Sequence, residues 1–315
     1  MLNVLYLVNK KTFMKKLPRE RFHSINKLGE ICNLHWSGIG WGDYDNSLTV
    51  QKNIDKISKD RKFDFVIAYK PLEMKEFKNV NVPKCLRYNE MYDSKWTLKE
   101  INESGAQLVV CHHLNDFEKY NSMNIPNVRF VYIGHCFEKT IFKDYGFDKK
   151  YDIMLGGQIG GGNVYPLRKR LREILKSLKS NYSIYIHKHP GYNLRDAHTS
   201  KYLIEFAKKM NQSKIVVSCS SKFRYRLGKY VEIPACNTVM AADKPYDKYD
   251  KYDHLIDINM GMTDEEIKQK IIHYLENNDE YEEKRVKGLE FAKNYTHESY
   301  AAKLLEEIVS YLDEK

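Results

Sequence analysis

The segment 226–245, with the sequence RLGKYVEIPACNTVMAADKP, has the residue types and spacings of a ligand-binding corner between a helix and a strand. Glu232 follows Lys229 by three positions and Gly228 by four, so the three residues share one face of a helix. Asn237 follows at the position where a left-handed residue commonly ends a helix. We therefore expect one face of this helix to pack on a sheet and the other face to bind a ligand.

A glycine-rich loop, 156–162, has the sequence GGQIGGG and lies between a predicted strand and a helix that Pro166 opens. Glycines let backbone N–H groups approach a diphosphate, and the N-terminus of the following helix favours its negative charge. The loop matches neither the Walker pattern nor the strict dinucleotide fingerprint. We expect Gly157 and Gln158 to face phosphate groups; a flexible loop is the alternative.

Other polar residues follow the next two predicted strands. His189 can donate to a phosphate oxygen. Ser220, Arg224 and Arg226 offer the hydroxyl and guanidinium groups that bind a diphosphate. Arg168, on the helix after the glycine loop, could add positive charge, although a solvated arginine has the same pattern. Ordinary polarity at strand ends is the alternative for the whole set.

These residues must be positioned by a sheet, and apolar runs of strand length alternate with helical patterns along the chain. Strands are predicted over 2–9, 32–36, 63–69, 84–88, 107–112, 129–134, 151–155, 182–187, 214–218, 238–242 and 255–258. Helices are predicted over 18–30, 47–59, 97–104, 116–122, 167–179, 199–210, 263–277, 280–294 and 297–313, with a short or kinked helix after Arg226 that contains Pro234. The alternation predicts doubly wound parallel sheets, which bind ligands at the carboxyl ends of their strands.

The run from Lys229 through Glu232 to Met240 resembles the Glu–helix–Gly–strand segment of GT-B glycosyltransferases, especially the CgeB-like and glycogen-synthase-like groups. Asn237 stands where those families have a glycine. The His-Pro pair at His189 resembles the phosphate-contacting segment of GT-B polymerases of the teichoic-acid and capsule type. The resemblance implies two Rossmann-like domains that face a cleft, and a glutamate that accepts hydrogen bonds from the ribose of a donor.

The resemblance also implies a division of the chain. Residues 1–137 would form the acceptor-side domain, 138–150 a linker and 151–296 the domain that binds the nucleotide sugar. Residues 297–315 would form a terminal helix that packs back on the first domain. Its apolar residues at helical spacing predict an amphipathic stripe.

An inverting transferase needs a base on the acceptor side. Glu90, Asp93, His112 and His113 lie at predicted strand ends, and their spacing does not rank them. We single out Glu90 and His112 as candidate catalytic residues. Glu90 is preferred because it follows the fourth strand, where related enzymes place an acceptor-side residue.

Composition and charge limit which other classes of protein the chain could belong to. The 315 residues include 52 Lys and Arg against 42 Asp and Glu, and the net charge of +10 favours anionic partners, including anionic lipid headgroups as a peripheral contact. There is no arginine-rich tail, so a nucleic-acid role is not expected. The six cysteines are scattered and lie in apolar runs, which predicts buried free thiols in the cytoplasm. The apolar start, 2–8, is too short for a signal peptide or a membrane span.

Two groups of aspartates have spacings that could hold a metal ion. Asp43 and Asp45 have a DxD spacing, and Asp247, Asp250 and Asp253 recur every third residue. Both groups lie in predicted surface loops, where neighbouring carboxylates are usually solvated. We expect no metal site and no cofactor.

The sequence therefore predicts a metal-independent glycosyltransferase. It would move a sugar from a nucleotide-diphosphate sugar, bound by Lys229, Glu232 and the phosphate-facing residues, to a glycan or another hydroxyl acceptor. A sugar-nucleotide epimerase or a glycerol-phosphate-type transferase of the same fold remains an alternative. A non-catalytic module that binds nucleotide sugars or glycans is the alternative from a different class.

Overall fold

The computed structural model describes residues 1–17, 22–59, 61–159 and 162–314. The chain divides into two compact units, each with its own parallel sheet and apolar core. Unit 1 comprises Met1–Gly134, Arg195–His198 and Glu298–Lys315. Unit 2 comprises His135–Leu194 and Thr199–His297.

Unit 1 is built around a sheet to which its described residues contribute six parallel strands. These are β1 (Asn3–Leu7), β2 (Asn33–Ser37), β3 (Phe65–Ala68), β4 (Lys84–Arg87), β5 (Leu108–Cys111) and β6 (Arg129–Tyr132). Their spatial order is β2-β1-β3-β4-β5-β6. Every residue of β3, β4 and β5 is buried, as expected of strands that helices cover on both faces. The winding direction reverses between β1 and β3, and such switch points are where doubly wound sheets bind ligands.

The helices of unit 1 connect these strands. They are α1 (Lys10–Lys15), α2 (His23–Leu28), α3 (Val50–Ile57), α4 (Ser94–Ser104) and α5 (Leu114–Asn121). Side-chain caps explain where α3 and α4 begin. Thr49 Oγ1 accepts the Lys52 N–H at 3.3 Å, and Asp93 Oδ1 accepts the Trp96 N–H at 3.1 Å. Gly105, with φ of +62°, ends α4 in the left-handed conformation.

Unit 2 has the same architecture, and its described residues contribute five parallel strands in the order β11-β10-β9-β7-β8. The strands are β7 (Tyr151–Leu155), β8 (Ile184–Ile186), β9 (Ser213–Val217), β10 (Val239–Ala242) and β11 (Ile256–Asp257). The helices are α6 (Pro166–Ser177), α7 (Lys201–Asn211), α8 (Lys229–Ala235), α9 (Asp264–Glu276) and α10 (Asn278–Ala292). Here the winding direction reverses between β7 and β9, which places a second switch point beside the glycine-rich loop.

The last helix, α11 (His297–Asp313), belongs to unit 1 from Glu298 onwards. Its predicted apolar stripe is buried, as at Leu304, which is fully covered. The Tyr300 hydroxyl accepts a hydrogen bond from Arg87 Nε at 2.9 Å. Arg129 Nη2 contacts the Glu307 carboxylate at 2.6 Å. Apolar burial and polar contacts therefore join α11 to β4 and β6 within unit 1.

Two parallel sheets with covering helices confirm the predicted α/β fold class. Helix α1 was not predicted, because only Phe13 and Met14 in it are apolar and no periodic signal arises. It forms behind Asn9, whose side chain accepts the Lys11 N–H at 3.0 Å. The helix predicted over 18–30 is observed as α2, and residues 18–21 lie outside the described part of the chain.

The segment 138–150, predicted as a linker, lies in unit 2. Its side chains Ile141 and Phe142 are buried there. The linker prediction rested on a lack of periodicity, which does not reveal whether an irregular segment is packed.

Candidate functional site

The loop after β7 is shaped by contact between Gly157 and Arg168. Gly157 has φ of +101°, and a Cβ there would lie 2.8 Å from Arg168 Nη1. Glycine is therefore required at this position for both backbone conformation and space. Of the rest of the loop, Gly160 and Gly161 lie outside the described residues.

Arg168 is a buried cation and not a solvated arginine, since the residue is only 3 % exposed. Its Nη1 donates to the Gln158 carbonyl at 2.8 Å and its Nη2 to the Ser218 hydroxyl at 3.1 Å. The guanidinium also lies 4.2 Å from the centre of the Tyr165 ring. Among the described residues no carboxylate oxygen approaches Arg168 within 4.0 Å, and its Nε has no hydrogen-bond partner.

A buried charge that has only neutral acceptors is costly to desolvate. An anion at the glycine loop would offset that cost. The position of Arg168, at the switch point of the sheet, is where such an anion is expected.

Helix α8 contains a buried ion pair. Lys229 Nζ donates to the Glu232 carboxylate, and both residues are at least 95 % buried. Lys229 Nζ also lies 4.5 Å from the centre of the Phe206 ring. Glu232 Oε1 would be 3.0 Å from a Cβ at Gly228, so the glycine makes room for the carboxylate. The predicted binding face is thus buried within unit 2.

The short length predicted for α8 is confirmed, since the helix has seven residues with Pro234 inside it. Asn237, with φ of +55°, adopts the predicted left-handed conformation after the helix. The residue substitutes for glycine because asparagine tolerates this region better than most side chains.

Two histidines follow β8. His187 is buried, and its Nε2 lies 2.7 Å from the Tyr202 hydroxyl. Burial, followed by the nearby Lys229 charge, lowers the pKa of His187 to about 4, so the ring is neutral at pH 7. His189 is half-buried, and its Nδ1 accepts the Gly191 N–H at 3.0 Å. Because Nδ1 accepts this bond, Nε2 is the ring nitrogen that can donate a hydrogen bond.

The loop after β9 contains Ser220, Ser221 and Arg224. The Ser220 N–H donates to Asp243 Oδ1 at 2.9 Å, and the Ser220 hydroxyl donates to Oδ2 of the same residue. Burial raises the pKa of Asp243. Ser221 and Arg224 have φ of +85° and +56°, a region that costs energy for residues other than glycine and that recurs at ligand sites.

A cavity of about 480 Å³ lies beside this loop. It is lined by Pro166, Leu167, Cys219, Ser221, Lys222, Arg224, Asp243, Lys244, Asp257, Asn259, Met260 and Gly261. Arg224 is exposed there, and within the described ranges no carboxylate lies within 4.0 Å of it. Ser220 is directed toward Asp243. Sequence reasoning missed Asp243, although a carboxylate directly after an apolar strand is a readable signal.

Arg226 is 1 % exposed and is not part of the cavity lining. Its Nε lies 3.4 Å from Asp250 Oδ2 and 3.8 Å from Asp247 Oδ2. Its Nη1 donates to the His135 carbonyl at 3.0 Å, and the guanidinium is 4.0 Å from the centre of the Tyr295 ring. The expectation that both aspartates are solvated is wrong, because they balance a buried arginine.

The candidate catalytic residues lie in unit 1. Glu90 is exposed and lines a cavity at the carboxyl end of β4. His112 is 3 % exposed, and its Nε2 lies 2.9 Å from the Tyr300 hydroxyl. His113 is also buried, and Asp93 caps α4. Of these four residues, Glu90 and Asp93 line the cavity, and both histidines lie in the interior of the unit.

All six cysteines are buried free thiols, as their apolar settings predicted. Across the described residues no three His, Cys, Asp or Glu side chains are grouped so that they could hold a metal ion. Asp43 Oδ2 contacts His35 Nε2 at 2.7 Å, and Asp45 Oδ1 accepts from the Ser47 hydroxyl at 2.7 Å. In the part of the chain that the structure describes, no helix is both long and apolar enough to span a bilayer.

We compared the chain with known protein families, curated sequences and solved structures. No protein-family model matches the chain, and no curated protein sequence matches it. Several solved structures, however, have a fold similar to that of this chain. A glycosyltransferase from Rickettsia africae has a TM-score of 0.64 at 13 % identity over 100 % of this chain and 99 % of its own. Sucrose-phosphate synthase from Thermosynechococcus elongatus has a TM-score of 0.63 at 9 % identity over 100 % of both chains. An α-glucosyltransferase in complex with UDP has a TM-score of 0.61 at 11 % identity, over 98 % of this chain and 100 % of its own.

The chain therefore has the fold of the GT-B glycosyltransferases, and the resemblance inferred from Lys229–Met240 is confirmed at the level of the fold. Assignment to the CgeB-like group stays a prediction.

Proposed function

We propose that the chain is a glycosyltransferase that transfers a sugar from a nucleotide-diphosphate sugar to a hydroxyl group of a glycan or another acceptor, without a metal ion. The observation that carries the proposal is Arg168, a buried guanidinium beneath Gly157 whose described partners are neutral. A diphosphate at the glycine loop would supply the missing negative charge. The neighbour solved with UDP makes UDP the first nucleotide to test.

The residues around the glycine loop would stabilise charge that develops during the reaction. When the bond to the anomeric carbon breaks, the leaving diphosphate gains negative charge. Backbone N–H groups of Gly157 and Gln158, the Arg168 guanidinium and His189 Nε2 are donors that could stabilise this charge. Arg224, exposed in the cavity, would add a second guanidinium. Donors that are already in place need no reorganisation during the reaction.

Glu232 would bind the ribose hydroxyls of the donor. Its contact with Lys229 fixes the direction of the carboxylate. Arg226 would position the 246–254 segment and would not contact the donor. The reason is that its charge is balanced by Asp247 and Asp250 of that segment. On the acceptor side, Glu90 would take the proton of the attacking hydroxyl. His112 would support catalysis indirectly, through its contact with Tyr300.

A cytoplasmic location is part of the proposal, since six buried free thiols suit a reducing compartment.

Binding is tested by thermal unfolding of the wild type and of Glu232→Gln with UDP-, GDP-, CDP- and ADP-linked sugars. A ligand that binds only the folded state raises the unfolding temperature. One nucleotide class should stabilise the wild type, and Glu232→Gln should lose most of that effect. Glu283→Gln is the matched control, because Glu283 also pairs with a lysine but is exposed on α10.

Catalysis is tested by mass spectrometry of the bound nucleotide sugar with a panel of glycan acceptors. Release of the nucleoside diphosphate with a new glycosidic product supports the proposal. An epimerised sugar nucleotide, transfer of glycerol phosphate, or a ligand returned unchanged would each replace it with the corresponding alternative.

A further inference from the structure

Unit 1 contains a cavity of about 280 Å³ at the carboxyl ends of β3 and β4, beside the first turns of α4. We call it the unit 1 cavity. It is lined by Tyr69, Lys70, Arg87, Tyr88, Asn89, Glu90, Tyr92, Asp93, Trp96, Thr97 and Glu100.

Within the part of the chain that the structure describes, two buried polar groups in the cavity wall, Glu100 and Tyr88, have no hydrogen-bond partner outside the pair. Glu100 is 3 % exposed, and its Oε1 makes no hydrogen bond of good geometry to the described residues. Tyr88 is 8 % exposed, and its hydroxyl interacts with the Glu100 carboxyl without forming a hydrogen bond of good geometry. Buried polar groups in folded proteins are nearly always hydrogen-bonded, and leaving one unpaired is costly. A ligand that offers hydroxyl groups would satisfy both.

The rim of the cavity is aromatic. Trp96 and Tyr92 are 48 % and 54 % exposed, so both rings can contact a ligand. Asp93 accepts the Trp96 N–H at 3.1 Å and so fixes the backbone that carries the indole. An exposed indole beside buried hydrogen-bonding groups combines an apolar platform with polar specificity, which is the usual composition of a small-molecule site.

The strand ends show strain that is consistent with a ligand site. Lys70, directly after β3, has φ of +54° although it is not a glycine. Residues held in this region cluster at binding sites, because surrounding structure must stabilise them.

Charge and size restrict the ligand. The lining contains the cations Lys70 and Arg87 and the carboxylates Glu90, Asp93 and Glu100, so neither sign dominates. The volume of about 280 Å³ lies just below the range of ligand pockets, which run from about 300 to 1,000 Å³. A neutral molecule with several hydroxyl groups and one apolar face fits these limits, and a nucleotide does not.

We infer that the unit 1 cavity binds one neutral sugar ring, with Glu100 and Tyr88 binding its hydroxyl groups and Trp96 packing against its C–H face. The inference rests on the proposed function only in calling this sugar the acceptor. Glu90, on the same wall, would then lie beside a hydroxyl that could attack the donor.

The test titrates methyl glycosides of glucose, galactose, N-acetylglucosamine and glucosamine into the full chain, with saturation-transfer NMR and tryptophan fluorescence as readouts. Tyr88→Phe should weaken binding of the preferred neutral sugar about 3- to 10-fold, the effect of one lost hydrogen bond. It should leave the unfolding temperature nearly unchanged, because the hydroxyl makes no hydrogen bond of good geometry in the folded protein. If Tyr88 had only a structural role, Tyr88→Phe would change sugar binding and the unfolding temperature together.

Glu100→Gln should weaken binding in the same way, and Trp96→Ala should weaken it about 10-fold or more. Glu103→Gln is the matched control, because Glu103 lies on the same helix but is exposed and pairs with Lys99. It should leave sugar binding unchanged.

Sugar binding that is unaffected by all three cavity variants, or the absence of binding by any neutral glycoside, overturns the inference. Binding of glucosamine alone overturns the assignment of a neutral ligand. Donor consumption, measured separately, decides the proposed function. If UDP-sugar is consumed and the cavity variants behave as wild type, only this inference fails. If the variants lose sugar binding and no donor is consumed, the cavity stands as a sugar site and the transferase proposal fails.

Discussion

Replacing Arg168 by Gln removes the buried positive charge beneath Gly157. The variant loses the hydrogen bonds to the Gln158 carbonyl, the Ser218 hydroxyl and the Cys219 carbonyl. At about 1 kcal/mol for each bond, the free energy of unfolding should fall by about 3 kcal/mol. The loss is partly offset, because the variant no longer desolvates a charge that has only neutral acceptors.

Nucleotide binding should change more than stability. A hydrogen bond to a charged group contributes about 1.5 to 3 kcal/mol, so the Kd for UDP should rise about 10- to 150-fold. At a UDP concentration about 100 times the wild-type Kd, the ligand stabilises the wild type by about 2.7 kcal/mol. In the Arg168→Gln variant at the same concentration, this stabilisation should shrink to between about 1.4 and 0.3 kcal/mol.

Urea unfolding with uridine, UMP and UDP gives the measurement. If Arg168 contacts the diphosphate, the loss of affinity grows with the number of phosphates and is absent for uridine. Arg172→Gln is the control, because Arg172 lies on the same helix, is exposed and pairs with Glu173. An unchanged Kd for UDP, or an equal loss for uridine and UDP, would refute the assignment.

Other outcomes follow from single side chains. Gly157→Ala should lower the free energy of unfolding by about 1 to 3 kcal/mol and weaken UDP binding, because the new Cβ meets Arg168 at φ of +101°. Gly146→Ala, at φ of +68° in open space, carries only the backbone cost in the same urea assay. Glu90→Gln should lower kcat and leave the Kd for UDP within about twofold; unchanged turnover removes Glu90 from the mechanism. His187 has a pKa of about 4 against an ordinary 6.5, so the unfolded chain binds its proton first as the pH falls. Its contribution to stability, about 3 kcal/mol, is complete above pH 6.5 and is lost towards pH 4. Urea titrations at pH 7 and 4.5 should show a smaller difference in His187→Gln; the same difference as in the wild type would contradict this account.

Sequence periodicity was sufficient for much of the fold. Buried parallel strands appear as uninterrupted apolar runs, so β3 and β10 could be located from their composition. The apolar stripe of α11 and the left-handed residue after α8, Asn237, were also predictable, because each depends on neighbours within one or two turns. The resemblance of the α8 segment to GT-B enzymes then indicated the fold.

The polar groups were predictable only as positions at strand ends. From the sequence, Arg168 could have been a solvated residue on the surface of a helix, and Arg226 could have bound the phosphates of the donor. An arginine has the same side chain in either case, so its environment cannot be read from its residue type. The tertiary structure decided these questions, because Arg168 finds Ser218 fifty residues away and Arg226 finds the 246–254 segment. Likewise, Tyr88 and Glu100 come together only when α4 packs beside β4.

The sequence by itself determined which faces are apolar, and hence the alternating elements, their order and the parallel sheets. The tertiary structure alone decided which charged side chains are desolvated and what balances them. The physical reason is that burial of an apolar face is encoded by local spacing. The cost of a buried charge depends on partners that the chain brings together from distant positions.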